Sequence, residues 1–164
     1  MGARLKRNHS VSSDAASTTS VAEAAAGADL VITSYALLRL DFDAYQALAL
    51  DSGWAGLILD EAQNVKNASA RVHECARALE VPVTLAVTGT PMENHLGELW
   101  AIYNVLIPGL LGDLDGFNRI FRHPIEQRAD SEQMKKLKAR IRAFILRRGR
   151  DQPRGGGIAG ILRA

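Results

Sequence analysis

Asp60 and Glu61 are neighbouring carboxylates at the end of a short apolar run, in "GLILDEAQNVKN" at residues 56–67. An acid at the end of a buried strand can hold magnesium, often through water, because this hard cation takes oxygen ligands and keeps several waters of its own. A second carboxylate beside it can accept the proton of an attacking water. A metal-side acid and a base are what phosphoryl transfer asks of a protein. From "LILDE" alone a plainer reading is equally good: a strand must end somewhere, and acids favour the surface. Thr88, Gly89 and Thr90, in "AVTGTP", follow a second apolar run and by themselves read as a tight polar turn. Other chemistry has less support. The histidines, His9, His73, His95 and His123, contain no pair at the spacing of a helical zinc site. The single cysteine, Cys75, excludes an intrachain disulfide and reads as a small buried hydrophobe.

The elements that must position these residues follow from periodicity. A chain of 164 residues is long enough for one domain with a real core. Its net charge of +2 is too small to argue for nucleic acid, although Lys135, Lys136, Lys138, Arg140, Arg142, Arg147 and Arg148 make the last third locally basic. Residues 1–28 are rich in Ser, Ala and Thr and read as a loose N-terminal segment. "DLVITSYALL" predicts a buried strand through Val31, Ile32 and Tyr35, and Leu37 to Leu50 then recur at helical spacing as far as Gly53. "WAGLILD" predicts a second strand. A helix follows with Asn67 as N-cap and Val72, Cys75, Ala76 and Leu79 on one face, and "VTLAVTG" predicts a third strand. Helices are expected over "ELWAIYNVL", "LDGFNRIF" and the basic stretch from Lys135. Residues 149–164 are Gly-rich and aperiodic, so a disordered tail is expected. Strands alternating with helices predict an α/β fold with a parallel sheet covered on both sides. In such sheets ligands sit beyond the carboxyl ends of the strands, which places Asp60-Glu61 and "TGTP" on one rim. No apolar run approaches the ~18 residues of a membrane span, and the N-terminus lacks a signal-type apolar core, so a cytoplasmic protein with no membrane partner is expected.

Three stretches in order, "VITSYALL", "DEAQNVKN" and "TGTPMENHLGELW", resemble the Swi/Snf-type DNA-dependent ATPases, helicase-like motors of superfamily two. "LDEAQ" resembles motif II (Walker B) in its glutamine-ending form, and "AVTGTPMENHLGELW" resembles motif III with its trailing helix. "PGLLGDLDGFNRIFRHPIE" and "IRAFILRR" resemble later blocks of the first motor lobe, so the likeness runs from about Asp29 to Arg148. The resemblance implies a RecA-like P-loop NTPase lobe over residues 29–148, ATP and Mg2+ as cofactors, and duplex DNA bound without sequence preference, in a nucleoid-associated setting. Carried over by residue, Asp60 is the magnesium-side acid and Glu61 the base for water. Gln63 links the γ-phosphate site to motif III, and Thr88, Gly89 and Thr90 couple the nucleotide to the DNA side. Thr33 and Ser34 lie in the block near the DNA path, where their hydroxyls could donate to phosphate, and a strand-end hydroxyl pair hydrogen-bonded to backbone is an equally good reading. Asn94, Glu98 and Trp100 read as capping and packing residues.

The lobe is incomplete by this reading. No G-x-x-x-x-G-K-[ST] pattern occurs, so no loop of backbone N–H groups and no lysine are in place to cradle phosphates. The second motor lobe is not represented either, and the chain alone is expected to be inactive, whether as a truncated or frameshifted product or as part of a split motor completed by another segment. Without the phosphate-loop strand, Val83 to Val87 is expected to be an exposed apolar edge open to intermolecular pairing. A non-enzymatic alternative is a DNA-binding or interaction remnant that uses Lys135, Lys136 and Arg140 on the basic helix. An unrelated carboxylate-pair hydrolase is the weakest reading, because neighbouring acids on a continuing strand diverge and no separate acid presents itself for the opposed geometry.

Overall fold

The computed structural model of the protein describes residues 25, 28–89, 96–146 and 160–162. Helix α1 (Tyr35–Leu40) is capped by Ser34, whose hydroxyl oxygen accepts from the Leu37 N–H, and α2 (Phe42–Ser52) follows after a break at Asp41. Gly53, at φ 68°, ends α2 in a backbone conformation that suits glycine. Strand β1 (Gly56–Leu59) leads into the acidic turn and a 3₁₀ turn at Ala62–Val65. Helix α3 (Arg71–Ala78) precedes β2 (Val83–Val87), and α4 (Leu96–Leu106) is the central buried helix.

Helix α5 (Leu114–Phe117) runs without interruption through a π-helical turn at Asn118–Arg122 into α6 (His123–Arg128). Pro124 explains the π turn: it has no N–H to donate, and its ring would collide with the carbonyl one normal turn back. The His123 N–H bonds instead to the Asn118 carbonyl, five residues back. Helix α7 (Ser131–Ile141) is capped by Asp130, which accepts from the Glu132 and Gln133 N–H groups, and β3 (Ile145–Leu146) and β4 (Gly160–Leu162) complete the sheet.

The sheet order is β1-β2-β4-β3. β1 and β2 are parallel, with Leu57 opposite Thr84 and Leu59 opposite Ala86, whereas β4 is antiparallel to both β2 and β3. Leu59, Thr84 and Ala86 turn inward to a core that includes Leu38, Phe42, Tyr45, Cys75, Leu99, Ile102, Tyr103 and Phe117. The opposite face of the strands is open, with Ile58 65% and Val83 38% exposed.

Several expectations change. The sheet is mixed and covered on one face, because the helices of the described residues gather into one core on the Leu59–Ala86 side. The strand expected through Val31, Ile32 and Tyr35 does not form. Residues 30–34 pair with no strand among the described residues, Ile32 is 72% exposed, and Ser34 diverts the chain into a helix. The N-cap of α3 is Ala70, not Asn67, because the Asn67 carbonyl accepts the Ala70 N–H in a preceding turn and its side chain accepts from Ser69. The expected disordered tail contains β4, which lies along the β2 edge that was expected to be exposed. Residues 1–24 and 147–159 lie outside the described residues. Cys75 is buried, as expected. Among the described residues, no helix is long and apolar enough to cross a membrane.

Candidate functional site

The site is built where β1 and β2 end side by side. Because they are parallel and in register at Leu59 and Ala86, the residues that follow emerge at one rim: Asp60-Glu61 from one strand, Thr88-Gly89 from the other. The chain reverses at Glu61, whose φ 49°, ψ 55° is left-handed, a conformation that costs about 1 kcal/mol or more for a residue with a Cβ. Local bonds hold that turn. The Glu61 N–H donates to Asp60 Oδ1 at 3.0 Å, and the Glu61 carbonyl accepts from Asn64 Nδ2 at 2.8 Å and the Asn64 N–H at 3.0 Å. Because of the left-handed residue, the two acids do not alternate across a strand. Both stay exposed at the rim.

A relay of side chains then crosses from one strand to the other. Gln63 Nε2 donates to Glu61 Oε2 at 2.8 Å, and Gln63 Oε1 accepts from the Thr88 hydroxyl, also at 2.8 Å. Thr88 is 8% exposed and Gln63 half-buried, so this bond is shielded at the Thr88 end. Among the described residues, Asp60 Oδ2 and Glu61 Oε1 receive no protein donor, and they are the oxygens available to a cation or a water. The described residues hold no cluster of three or more potential metal-binding side chains, so a cation here would keep a mostly aqueous shell, as Mg2+ commonly does.

The hydroxyl pair reaches the acids through one residue. Tyr35 donates to the Asp60 carbonyl at 2.6 Å. Its own pKa is pushed up to about 12, first by burial and then by the Asp60 and Glu61 carboxylates. Thr33 Oγ1 accepts from the Tyr45 hydroxyl at 2.8 Å, and Ser34 Oγ accepts from the Leu37 N–H at 3.2 Å. Each hydroxyl thus accepts one bond inside the protein, and among the described residues neither has an acceptor for its own hydrogen.

Other predicted residues sit elsewhere. Lys135, Lys136 and Arg140 are exposed on α7, which packs on the Asn118–Arg128 segment. Lys135 pairs with Glu132 at 2.7 Å, and the Arg140 guanidinium lies 5.6 Å from the Phe121 ring centroid. Thr90 and Asn94 fall outside the described residues. Glu98 forms a partly exposed ion pair with Lys66 at 2.9 Å, whereas Trp100 is buried, as its expected packing role requires, and its Nε1 donates to the Gly112 carbonyl. Asn64 and Glu126 were not singled out from the sequence, and Tyr35 was read only as a strand residue. Glu126 accepts the Leu96 N–H at 3.0 Å and bonds to Arg122 Nε at 3.1 Å, so a carboxylate from α6 caps α4, the helix that follows "TGTP". The sequence does not mark such bonds between residues far apart in the chain.

A family model described as "SNF2-related domain" matches residues 5–154. The "Putative ATP-dependent helicase/translocase YwqA" of Bacillus subtilis (strain 168) is 40% identical over 121 residues, 74% of this chain and 13% of that protein. The "ISWI chromatin-remodeling complex ATPase ISW2" of Saccharomyces cerevisiae is 32% identical over 120 residues, 73% of this chain and 10% of that protein. Among solved structures, "Sulfolobus solfataricus SWI2/SNF2 ATPase core in complex with dsDNA" matches at TM-score 0.68 and 36% identity, over 76% of this chain and 25% of that one. The chain therefore spans a small part of the length of the proteins it resembles.

Proposed function

The chain belongs to the SNF2-related domain family, and from that premise we propose that residues 29–148 are the later part of the first RecA-like lobe of a DNA-dependent ATPase motor. The observation that carries this reading is the relay Glu61–Gln63–Thr88, which joins the acidic turn to the neighbouring strand end through two bonds of 2.8 Å. In this reading Asp60 is the magnesium-side acid and Glu61 the base that accepts a proton from water. Gln63 passes the state of the acidic turn to Thr88, Gly89 and Thr90.

Two exposed carboxylates on one turn, each with an oxygen to spare, fit a Mg2+ ion that keeps most of its waters. When bound, that ion would neutralise charge on phosphate oxygens. The residues present do not fit the triphosphate of ATP, because the sequence contains no phosphate-loop pattern to cradle it. We therefore expect no turnover by this chain alone and expect it to need a complementing motor segment. Duplex DNA is the proposed partner, contacted through its backbone by Thr33 and Ser34, and a cytoplasmic, nucleoid-associated setting is proposed with it. The support is the likeness to an ATPase core solved in complex with dsDNA and the donor hydrogens these two hydroxyls retain. A reading based on the basic helix alone has less support, since Lys135 and Arg140 are already engaged within the chain.

The test is ATP hydrolysis with and without duplex DNA, first by the chain alone and then with a segment supplying the phosphate loop and the second lobe. The expected results are no activity in the first case and DNA-stimulated activity in the second, abolished by Glu61→Gln. A restored motor that turns over equally well with Glu61→Gln would show the acid assignment to be wrong.

A further inference from the structure

Tyr35 stands where the two halves of the site meet. Its backbone opens α1 directly after Thr33 and Ser34, while its phenol reaches the Asp60 carbonyl at 2.6 Å, 25 residues along the chain. That carbonyl belongs to the peptide joining Asp60 to Glu61, and Glu61 sits in the left-handed region that side chains disfavour. A donor on this carbonyl fixes the peptide plane, and with it the direction in which Glu61 leaves the backbone. The other end of the tie is also held. Thr33 accepts from Tyr45, whose carbonyl accepts from Trp54 Nε1 at 3.3 Å.

Resting on the functional reading above, we propose that Tyr35 is a positioning residue for the carboxylate pair: its hydroxyl locks the Asp60–Glu61 peptide and makes the Thr33–Ser34 loop and the acidic turn one rigid unit. A local disturbance at the carboxylates then reaches the hydroxyl loop through the phenol, with no rearrangement of the sheet.

The test uses the full chain, the variants Tyr35→Phe and Tyr45→Phe, and nuclear magnetic resonance. Without metal, Tyr35→Phe is expected to shift the Asp60 carbonyl carbon and to speed amide exchange at Glu61 and Asn64 by about five-fold, the worth of one ordinary hydrogen bond. Amides of the central helix should stay unchanged, and Tyr45→Phe should leave the acidic turn alone. With magnesium chloride, Asp60 and Glu61 of the unaltered chain should respond, and Thr33 and Ser34 with them. In Tyr35→Phe the response at Thr33 and Ser34 should vanish while that at the acids persists. Unchanged exchange at Glu61 and Asn64 in Tyr35→Phe, or a persisting response at Thr33 and Ser34, overturns the proposal. Should Tyr35→Phe fail to fold, ring-labelled tyrosine in the unaltered chain decides. The Tyr35 Cζ resonance should move with magnesium while that of buried Tyr103 stays still, and a still Tyr35 beside a responding Asp60 overturns the proposal. If magnesium moves nothing at Asp60 or Glu61, the functional reading fails and the metal-free comparison alone judges Tyr35.

Discussion

The bond between Thr88 and Gln63 joins the two strand ends, and its worth can be measured by a double-mutant cycle. Thr88→Val keeps the shape of a side chain that is 8% exposed and removes its hydroxyl. Gln63→Met keeps length and removes both amide bonds. A neutral hydrogen bond contributes about 0.5–1.5 kcal/mol net, and the shielded Thr88 end argues for the middle of that range, about 1 kcal/mol. Thr88 also engages a further partner, and Gln63 bonds to Glu61, so neither single variant isolates the pair. The cycle does, because those losses cancel. Urea unfolding followed by Trp54 and Trp100 fluorescence is the assay. With a slope of about 2 kcal/mol per molar, a coupling of about 1 kcal/mol corresponds to about 0.5 M in midpoint. A coupling energy below about 0.3 kcal/mol, within the scatter of independent sites, would refute the claim that this bond joins the strands.

The pH dependence of stability should carry the mark of His73, which is 3% exposed and whose Nε2–H donates to the Ala101 carbonyl at 3.1 Å. Burial lowers its pKa, with Arg77 adding to the effect, against smaller upward pulls from the Ala101 bond and Glu74. Between the lowered folded value and the ordinary value of 6.5, the unfolded chain binds more protons. The urea midpoint should therefore hold steady above about pH 6.5 and fall as pH drops below it. That fall should be smaller in His73→Gln, and equal acid limbs in the two proteins would count against this assignment. The Tyr103 hydroxyl is fully buried with no partner among the described residues, and burial raises its pKa. Tyr103→Phe is expected to leave stability unchanged or raise it by about 1 kcal/mol, and a loss of more than about 1 kcal/mol in urea unfolding would reveal a bonded hydroxyl. Ile161→Pro removes a backbone donor from β4 and should free the β2 edge, giving concentration-dependent association in sedimentation velocity. A variant that sediments like the unaltered chain would show that β4 does not guard that edge.

How much of this was legible in the sequence depends on the reach of each interaction. Periodicity located β1, β2 and the buried face of α3, because burial imposes a pattern on neighbouring residues. The same logic misread residues 30–34, where a β-branched run suggested a strand but Ser34 is better satisfied capping α1. The strand at 160–162 has only three residues and follows a glycine-rich run, so no period could mark it. The acids themselves were visible as a pair. Their arrangement was not, because it depends on the left-handed Glu61 and on Tyr35, whose partner is 25 residues away. The cap that Glu126 provides for Leu96 spans 30 residues and is invisible for the same reason.

The site draws little on the rest of the sheet. Most bonds that shape the acidic turn lie within residues 60–64, and the contacts from Tyr35 and Thr88 link it to the rest of the chain. The open sheet face at Ile58 and Val83 does not enter into those bonds. The acidic turn is therefore set largely by its own local bonds, the preorganisation that the proposed role of the acids would require. On the proposed reading, an isolated chain found to be inactive would lack phosphate binding rather than have misplaced acids. A complementing segment should then restore turnover without changing the exchange behaviour of Glu61 and Asn64. If those amides tighten only when the segment binds, the turn is assembled by complementation, and the local bonds described above are insufficient to hold it.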